Sequence, residues 1–401
     1  MEGKLIIEGG KPLKGSVEVR GSKNAATKMM VASLLTSEEC VIQNIPLSGD
    51  TDITKELCEH IGSSVSFNRK NHTCTIQTKK VSNPFVSELS RRNRIPILAL
   101  GSLLHRKGFA EIPVLGGCPI GHRPINFHLA AFKKMGASVE RKKYSYFAKA
   151  KRLEGADIRL PFPSVGATEN ILLAGVLARG RTRIKNAAVE PEIENLIVML
   201  KAMGANIIFN PKKREILLEG VKKLHGVKAK VMPDRNEVVS LAVAGLATKG
   251  EVFIRGVKRG YLEAFLGAIT GVGGKYRVER GGIRFYSKHS LKGIDITTAP
   301  HPGFMTDWQQ PFCVLLTQAK GTSHIHETVY EDRFAYTKDL VCMGAQIRVL
   351  SDCDDSSCRF HGKKFFHAAR IKGPTNLKGA DIIMKDIRAG MAHLIDRKSV
   401  V

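Results

Sequence analysis

Five short segments of the chain share one pattern at nearly constant spacing, and this repeat limits the possible fold more than any other feature. Each segment reads as the end of a helix, then a glycine, then a strand, with the glycines at Gly62, Gly136, Gly204, Gly273 and Gly344. These glycines are 74, 68, 69 and 71 residues apart. A glycine at this place commonly adopts the left-handed conformation that ends a helix. We therefore predict repeated helix–strand units.

Each unit is predicted to contain further elements. Turn signals that predict a hairpin after the glycine occur at Asn71–His72, Pro211–Lys212 and Gly281–Gly282. A strand pattern also precedes the helix, as at Gly250–Arg255 and Gly321–Ile325. About four strands and two helices per unit predict an α/β fold, with a period longer than the usual solenoid repeats. A sixth glycine would lie roughly 70 residues after Gly344, beyond Val401, so the last unit is predicted to be truncated.

Length and charge narrow the function classes. A chain of 401 residues is longer than one hydrophobic core usually serves, so two domains are predicted. The formal net charge of +26 favours anionic partners such as phosphates, nucleotides and carboxylates. The basic residues form no block of five or more, and the chain lacks aromatic interleaving or a nucleic-acid-binding module. No specific nucleic acid is therefore expected, and a basic surface around an anionic substrate is the preferred interpretation.

The cellular location is predicted from what the sequence lacks. No run approaches the roughly 18 consecutive apolar residues that a membrane span needs. Residues Met1–Glu8 enter a strand pattern directly, without the apolar block of a signal peptide. The eight cysteines are scattered, as is typical of reduced thiols rather than of a disulfide framework. We expect a cytoplasmic protein with no membrane partner.

A glycine-rich loop, Gly116–Pro124, carries a cysteine with positive charge nearby. Cys118 is followed by His122 and Arg123. Neighbouring positive charge lowers the pKa of a thiol towards the range in which it reacts. The alternative is a structural cysteine in a turn, which is the preferred interpretation for the other seven cysteines.

Two other cysteines, Cys353 and Cys358, lie near His361. Such a group would suit a metal ion. The sequence offers no evident fourth ligand beside them and no Cys-x-x-Cys spacing. No metal and no cofactor are therefore predicted.

Two turns are candidate sites for anionic groups. Arg20–Ala26 places Lys23 and Asn24 after a turn, at the start of a predicted helix. Backbone N–H groups at a helix N-terminus, with a lysine beside them, suit a phosphate or a carboxylate. Pro163–Thr168 is predicted as a strand-to-helix turn whose amides and hydroxyls suit a diphosphate. The alternatives are a plain helix start and an ordinary capped turn.

Candidate acid–base groups follow predicted strands. The segment Thr298–Asp307 holds two prolines and a glycine, which predicts a rigid loop that ends in Asp307. That carboxylate is either a helix N-cap or a general base. Asp386–Arg388 follows a predicted strand, Ala380–Met384, and opens a helix. Two further arginines, each more often a surface charge when taken singly, lie at loop or element-end positions: Arg94 and Arg333.

Taken together, these segments resemble the UDP-N-acetylglucosamine 1-carboxyvinyltransferase family from residue 1 to about residue 392. The resemblance rests on seven motifs in the family's order: Gly21–Ala26, Gly116–Pro124, Ser164–Thr168, Pro233–Arg235, Thr298–Asp307, Glu327–Phe334 and Asp386–Ala389. It implies a two-domain inside-out α/β barrel of repeated units, the enolpyruvyl transferase fold. Residues 23–232 would form one domain, and 1–22 with 233–401 the other.

The resemblance also implies the activity. The family transfers the enolpyruvyl group of phosphoenolpyruvate to the 3-hydroxyl of UDP-N-acetylglucosamine, in peptidoglycan synthesis. Lys23, Arg123 and Arg94 would bind phosphoenolpyruvate. Cys118 would lie on a lid, donate a proton to C3 and be the residue that fosfomycin alkylates. Asp307 would take the proton of the sugar hydroxyl.

The remaining roles implied by the resemblance concern the sugar nucleotide. Asn24 and Arg388 would hold the sugar and the reacting groups, and Asp386 would assist. The uridine diphosphate would lie against Arg123, Pro124, Ile125, Asn126, Phe127, Phe162, Pro163, Ser164 and Val165, with the backbone of Val329. Arg333 is also predicted among the substrate-binding residues.

Three departures from the family pattern bear on function. Asn126 replaces a usual aspartate near the uracil, and Val238–Val239 replaces a threonine- and glycine-type pair. The chain also stops before a final unit with an Asp-Arg-Gly motif, and Asp396–Arg397 does not match that motif's position. The missing unit predicts an uncovered sheet edge and exposed apolar surface.

Three alternatives remain. One is a catalytically impaired paralogue that binds UDP-sugar, as the departures suggest. Another is an enzyme like 5-enolpyruvylshikimate-3-phosphate synthase, which shares the fold and phosphoenolpyruvate but is disfavoured by the Gly-Gly-Cys loop and the Ser164–Thr168 turn. The third is a nucleic-acid-binding module.

Overall fold

The computed structural model describes residues 9–87, 94–116, 124–353, 355–356 and 358–382. These residues form two compact units. Unit 1 comprises the described residues of 9–19 and 235–382. Unit 2 comprises those of 20–116 and 124–234. Each unit is a mixed α/β structure.

The chain alternates between short strands and helices. The strands are β1 Lys14–Glu18, β2 Cys40–Gln43, β3 Ser64–Asn68, β4 Thr73–Gln77, β5 Phe109–Pro113, β6 Ser138–Arg141, β7 Ser145–Lys149, β8 Asp157–Arg159, β9 Arg181–Lys185, β10 Asn206–Asn210, β11 Glu215–Glu219, β12 Val227–Lys230, β13 Glu251–Arg255, β14 Lys275–Glu279, β15 Gly282–Tyr286, β16 Asp295–Thr297, β17 Gly321–His326, β18 Gln346–Leu350 and β19 Ala368–Gly373. The helices are α1 Lys23–Ala32, α2 Gly49–Ile61, α3 Ala99–Lys107, α4 Asn126–Lys134, α5 Val165–Gly175, α6 Pro191–Ala202, α7 Arg235–Ala247, α8 Glu263–Gly271, α9 Gln309–Thr317 and α10 Thr337–Cys342.

The strands form small sheets that repeat one topology. Unit 2 contains the orders β12-β2-β4-β3, β5-β7-β6 and β8-β9-β11-β10, and unit 1 contains β1-β13-β15-β14 and β16-β17-β19-β18. In each four-stranded sheet an outer strand pairs in parallel with the next strand, and an antiparallel hairpin completes the sheet. Two sheets, β8-β9-β11-β10 and β16-β17-β19-β18, use four consecutive strands, as the predicted unit requires, whereas in the other two the outer strand comes from a distant part of the chain. In the three-stranded one, an isolated parallel bridge between Phe85 and Glu111 takes the place of the outer strand.

The five repeated glycines all have the predicted backbone conformation. Their φ angles, in chain order, are 113°, 86°, 102°, 87° and 98°. At Gly62, a Cβ atom would also lie 2.5 Å from Ser82 Oγ and 2.9 Å from the Lys80 carbonyl oxygen. Both the left-handed conformation and the lack of space therefore require glycine at this helix end. One predicted strand is wrong in its described part, because residues 380–382 form no strand.

Helices that are buried on nearly all sides lie in the interior of each unit. In unit 1, all nine residues of α9 and eleven of the thirteen residues of α7 are buried. In unit 2, nine of the eleven residues of α5 are buried. A helix that is buried on nearly all sides is covered by other elements of its unit. No helix in the described ranges is both long enough and apolar enough to cross a membrane.

An aromatic cluster anchors the core of unit 1. Phe265 lies between Phe285, Trp308 and Phe312, with ring centroids 6.0–6.3 Å apart. Val238 and Val239 are fully buried in the same core. The valine pair, which departs from the family pattern, is therefore part of the core packing of α7.

Candidate active-site residues

Four residues that the sequence predicts to be catalytic lie outside the described residues: Cys118, Arg123, Asp386 and Arg388. Their roles stay predictions. The other candidates are distributed between the two units.

In unit 2, Lys23 is the first residue of α1, as predicted. Its Nζ lies 2.9 Å from Asp50 Oδ2, and its backbone N–H donates to Asp234 Oδ2 at 3.4 Å. The lysine side chain is 24% exposed. Asn24 follows it in the first turn. The helix end thus presents a partly exposed ammonium group beside backbone N–H groups, an arrangement suited to an anion.

A second group in unit 2 surrounds the start of α5. Ser164 caps this helix, and its Oγ accepts a hydrogen bond from Ala167 N at 3.4 Å, as expected for a capped turn. A Cβ on Gly166 would lie 3.3–3.4 Å from the imidazole of His128. Sequence reasoning missed His128, although it directly follows Phe127, the last residue of the predicted Arg123–Phe127 segment. The structure therefore places an imidazole against the predicted diphosphate turn.

The electrostatic state of His128 follows from its surroundings. The side chain is 6% exposed, and its Nδ1 lies 3.0 Å from Asn170 Nδ2. Because Nδ2 can only donate, Nδ1 is the acceptor and the ring is neutral. Burial, with a smaller contribution from the charge of Arg94, lowers the pKa of His128 to about 3. Arg94 immediately precedes a short helical turn, Ile95–Leu98.

The remaining predicted nucleotide-binding residues of unit 2 vary in exposure. Pro124 and Asn126 are exposed, Ile125 is buried, and the others are partly buried: Phe127, Phe162, Pro163, Ser164 and Val165. Asn126 and Val165 are the first residues of α4 and α5. These residues therefore lie at the starts of two helices that pack against each other.

Replacing His128 by asparagine is expected to remove part of the acid sensitivity of the fold. The unfolded imidazole titrates near 6.5, so between about pH 6.5 and 3 the unfolded state binds a proton that the folded state does not. The stability contribution is complete above pH 6.5 and is lost as pH falls, by about 1.4 kcal/mol per pH unit. Urea unfolding of wild type and variant at pH 7.5 and pH 5 would measure this difference.

His289→Asn is the matched control, because it makes the same substitution at an exposed histidine. Glu169 changes the stability in the opposite direction as pH falls. Burial, together with repulsion from Glu192 and Glu190, raises its pKa to about 7 despite the charge of Lys28. The free energy of unfolding of each variant is therefore compared with that of wild type at the same pH, so that the contribution of Glu169 cancels. An equal wild-type-to-variant difference at both pH values would contradict a neutral, buried His128.

In unit 1, Asp307 lies in a short helical turn, Thr306–Trp308, at the end of the predicted loop. It is not the N-cap of α9, because that position is Trp308, so the N-cap interpretation is wrong. Instead, Asp307 Oδ1 accepts a hydrogen bond from Arg333 Nη2 at 2.5 Å. Asn236 Nδ2 lies 3.5 Å from the other carboxylate oxygen.

Arg333 is buried rather than a surface charge, with only 4% of the residue exposed. Its Nη1 donates to Thr306 Oγ1 at 2.8 Å, and Gln310, with its amide oriented to satisfy both neighbours, accepts from Nε at 2.8 Å. Burial opposes the charged form, but Asp307 and Glu327 more than offset it and raise the pKa of Arg333. The guanidinium therefore holds the Asp307 carboxylate in a fixed orientation.

Beneath this pair lies Glu327, which sequence analysis placed in a motif without giving it a role. The residue is 0% exposed. One carboxylate oxygen accepts from Thr306 Oγ1 at 2.7 Å and from Gln309 Nε2 at 2.8 Å. The other accepts from the backbone N–H groups of Val329 and Tyr330 at 2.7 and 3.0 Å. Glu327 thus connects the turn that carries Asp307 to the segment that carries Val329.

The backbone of Val329, predicted to contact the nucleotide, is already bonded within the chain. Its N–H donates to Glu327, and its carbonyl accepts from Arg359 Nη2 at 2.8 Å. Sequence analysis gave Arg359 no role. Both the N–H and the carbonyl group of Val329 are therefore held by hydrogen bonds to other residues of the chain.

Unit 2 also contains a basic pocket with none of the predicted substrate-contacting residues. Its volume is about 360 Å³, and its lining is Arg20, Gln43, Asn44, Lys70, Asn71, His72 and Lys230. The excess of positive charge suits an anion, but the pocket shares no residue with the predicted catalytic groups. We assign it no catalytic role.

The cysteine pair of unit 1 has two neighbouring histidines in addition to the predicted one. The ligand atoms of Cys353 and Cys358 lie close to those of His326 and His367, all within 4.8 Å of one another. The histidine predicted beside them, His361, has its Nδ1 3.9 Å from Cys353 Sγ. The fold therefore supplies two imidazoles that sequence spacing does not reveal.

Comparisons with known proteins agree with this architecture. The model of the family described as EPSP synthase (3-phosphoshikimate 1-carboxyvinyltransferase) matches residues 7–396. A UDP-N-acetylglucosamine 1-carboxyvinyltransferase of Protochlamydia amoebophila is 46% identical over 400 residues, covering 98% of this chain and 86% of that protein. One from Chlamydia abortus is 44% identical over 395 residues, covering 97% and 88%.

Similar solved structures extend the likeness to the fold. The enolpyruvyl transferase NikO from Streptomyces tendae has a TM-score of 0.82 at 21% identity, covering 97% of this chain and 89% of that chain. An EPSP synthase from Acinetobacter baumannii has a TM-score of 0.69 at 20% identity, covering 98% and 91%. At these identities the likeness is one of fold.

Proposed function

The chain belongs to the UDP-N-acetylglucosamine 1-carboxyvinyltransferases, within the EPSP synthase family, and from this we propose that it transfers the enolpyruvyl group of phosphoenolpyruvate to the 3-hydroxyl of UDP-N-acetylglucosamine. The reaction releases phosphate and supplies a precursor of peptidoglycan. We place it in the cytoplasm, with both substrates as small-molecule partners. We also propose the inside-out barrel of repeated units, with domain boundaries at 22/23 and 232/233.

The proposed reaction requires a base for the sugar hydroxyl and an acid for C3 of phosphoenolpyruvate. As the hydroxyl oxygen bonds to C2, its proton passes to Asp307, while C3 receives a proton from Cys118. In the elimination, a C3 proton returns to the Cys118 thiolate as phosphate departs, which restores the enol double bond, and Asp307 releases its proton to solvent. The departing phosphate requires fixed positive charge, which we assign to Lys23, Arg94 and Arg123.

The observation that carries this proposal is the ion pair between Asp307 and Arg333. A general base must be held in one orientation while remaining accessible to substrate. Arg333 holds one oxygen of a carboxylate whose side chain is 20% exposed. A purely structural buried ion pair would not need this exposed fraction. Asn236 lies beside the second oxygen and is proposed to help to orient it.

Two alternatives make different predictions for the same assay. A binding-only paralogue would bind UDP-N-acetylglucosamine without releasing phosphate. A shikimate-type enzyme would release phosphate with shikimate 3-phosphate instead. The 46% and 44% identities to UDP-N-acetylglucosamine 1-carboxyvinyltransferases favour enolpyruvyl transfer to UDP-N-acetylglucosamine over both alternatives.

The decisive experiment measures phosphate release from phosphoenolpyruvate with each acceptor. We expect release with UDP-N-acetylglucosamine and none with shikimate 3-phosphate. Lys23→Gln should lower kcat/KM by about 100-fold, because it removes a positive charge from the phosphate site. Lys55→Gln is the matched control, since Lys55 is a half-buried lysine paired with Glu59 on the neighbouring helix α2.

The outcomes separate the candidate functions. A folded wild-type protein that binds UDP-N-acetylglucosamine but releases no phosphate would support the binding-only alternative. Release only with shikimate 3-phosphate would support the sister enzyme. Equal activity of the Lys23 and Lys55 variants would refute the role assigned to Lys23.

A further inference from the structure

Four potential metal ligands meet in unit 1 outside the predicted catalytic residues. They are His326 at the end of β17, Cys353 and Cys358 in the β18–β19 connection, and His367 immediately before β19. One ring nitrogen of each histidine and the sulfur atom of each cysteine all lie within 4.8 Å of one another. Three separate segments of the chain thus contribute to one compact group of donors.

The pairing of β17 with β19 brings the two histidines together. The strands are antiparallel, with His326 opposite Ala368, so His367 lies one residue beyond the last pair. The backbone N–H of Glu327 donates to the carbonyl oxygen of His367 at 2.7 Å. The two imidazole centroids are 5.4 Å apart. The pairing of β17 with β19 therefore fixes the positions of two of the four donors, His326 and His367.

The two sulfur atoms are held by the long connection between β18 and β19. Cys358 N donates to the Asp355 carbonyl oxygen at 3.0 Å, which forms a turn. Phe360 N donates to Cys358 Sγ at 3.4 Å. Backbone hydrogen bonds to sulfur stabilise a thiolate, the form in which cysteine binds a metal. Cys358 is also 3.3 Å from His326 Nε2.

The hydrogen bonding of His367 indicates what its second nitrogen does. The side chain is fully buried, and Nδ1 lies 2.7 Å from the carbonyl oxygen of Phe365. Because a carbonyl only accepts, Nδ1 carries a proton, so Nε2 is the nitrogen that has the lone pair in the neutral ring. Within the described chain, Nε2 has no hydrogen-bond partner although it is buried. Metal-bound histidines commonly have this arrangement, with one nitrogen donating to a carbonyl and the other facing the metal.

We propose that His326, Cys353, Cys358 and His367 form a structural zinc site. Two thiolates and two imidazoles are a donor set that Zn²⁺ binds tetrahedrally, and four protein ligands close the site to substrate. The Cys-x₄-Cys spacing falls within the range of known zinc sites. Neighbouring ligand atoms of tetrahedral zinc lie about 3.3–3.8 Å apart, so the widest pair needs to approach by about 1 Å.

Zinc would connect the β18–β19 connection to the end of β17. Both thiols lose their protons to solvent on binding, and neither sulfur is oxidised. His326 precedes Glu327, whose carboxylate organises the segment of Val329 and the turn of Asp307. The site would therefore stabilise the position of Glu327, although none of its four ligands is a predicted catalytic residue. This inference is independent of the transferase proposal.

The test measures metal content of the full-length protein, purified with reductant and without chelator. We expect about one zinc per chain by elemental mass spectrometry, and a cobalt-substituted protein with the visible absorption of tetrahedral Co²⁺ bound by thiolate. Cys358→Ser and His367→Asn should lower zinc affinity by about 100-fold or more. Cys353→Ser tests the partly exposed ligand, where a folding defect is least expected.

Cys342→Ser is the matched control, because this exposed cysteine of unit 1 lies outside the donor set and should keep its zinc. Removal of zinc should lower the thermal unfolding midpoint of wild type and of this control, but not that of Cys353→Ser. Wild-type protein that binds no more zinc than the Cys353→Ser variant would overturn the proposal. A Cys353–Cys358 disulfide in the reduced preparation, seen as the loss of two hydrogens by intact mass, would also overturn it.

Discussion

Replacing Asp307 by asparagine is expected to lower kcat for enolpyruvyl transfer by about 10²- to 10⁴-fold. The amide keeps the size of the carboxylate and can still accept a hydrogen bond from Arg333, but it cannot take the proton of the sugar hydroxyl. KM for both substrates should change much less than kcat, because the loss affects proton transfer rather than binding. Steady-state phosphate release at saturating substrates measures both constants.

Asp295→Asn is the control for this substitution. Asp295 lies in the same unit, is exposed and bonds to His324, so its replacement should leave kcat unchanged. Urea unfolding of the Asp307 variant separates a catalytic loss from a folding defect. If Asp307→Asn retained kcat within about twofold of wild type, Asp307 would not be the general base.

Replacing Glu327 by glutamine is expected to have the largest effect on stability, about 3–5 kcal/mol in the free energy of unfolding. The buried carboxylate accepts four hydrogen bonds, whereas an amide nitrogen would face donors at one end. The substitution also removes negative charge that stabilises the buried Arg333. Urea denaturation followed by circular dichroism, with tryptophan fluorescence reporting on Trp308 in unit 1, would measure the change.

Glu263→Gln provides the matched comparison. This glutamate is exposed and, among the residues that the structure describes, forms an (i, i+4) pair with Arg259, so its loss should cost less than about 0.5 kcal/mol. A cost below about 1 kcal/mol for Glu327→Gln would show that the buried network contributes little to stability. A large cost, with activity lost only in proportion to unfolding, would mark Glu327 as a structural residue, whereas a lower kcat of the folded protein would mark it as a positioning residue.

The repeat was predictable because helix ends leave local chemical signals. Each repeated glycine needs a left-handed conformation, and this requirement depends on the residue itself rather than on distant contacts. The loop before Asp307 was predictable for the same reason, since prolines and glycine restrict its backbone. The fate of the aspartate was less certain, because an N-cap and an ion pair with Arg333 are equally compatible with the local sequence.

Interactions between distant segments could not be predicted from spacing. His326 and His367 meet through the register of two strands, and the cysteines between them gave no indication of either partner. The burial of Arg333 likewise depends on a carboxylate network contributed by several elements. Glu327 could have been noticed as an acidic residue directly after a strand, but only the fold shows that four donors converge on it.

The parallel pairing of β1 with β13 has a consequence for synthesis on the ribosome. Lys14–Glu18 pairs with Glu251–Arg255, and the whole of unit 2 lies between them in the chain. The first strand therefore leaves the exit tunnel long before its partner exists, whereas unit 2 has every strand of its own sheets available by Lys230. Unit 2 is expected to fold first and to bring the two ends of the interrupted unit closer, which lowers the entropy cost of closing so long a loop.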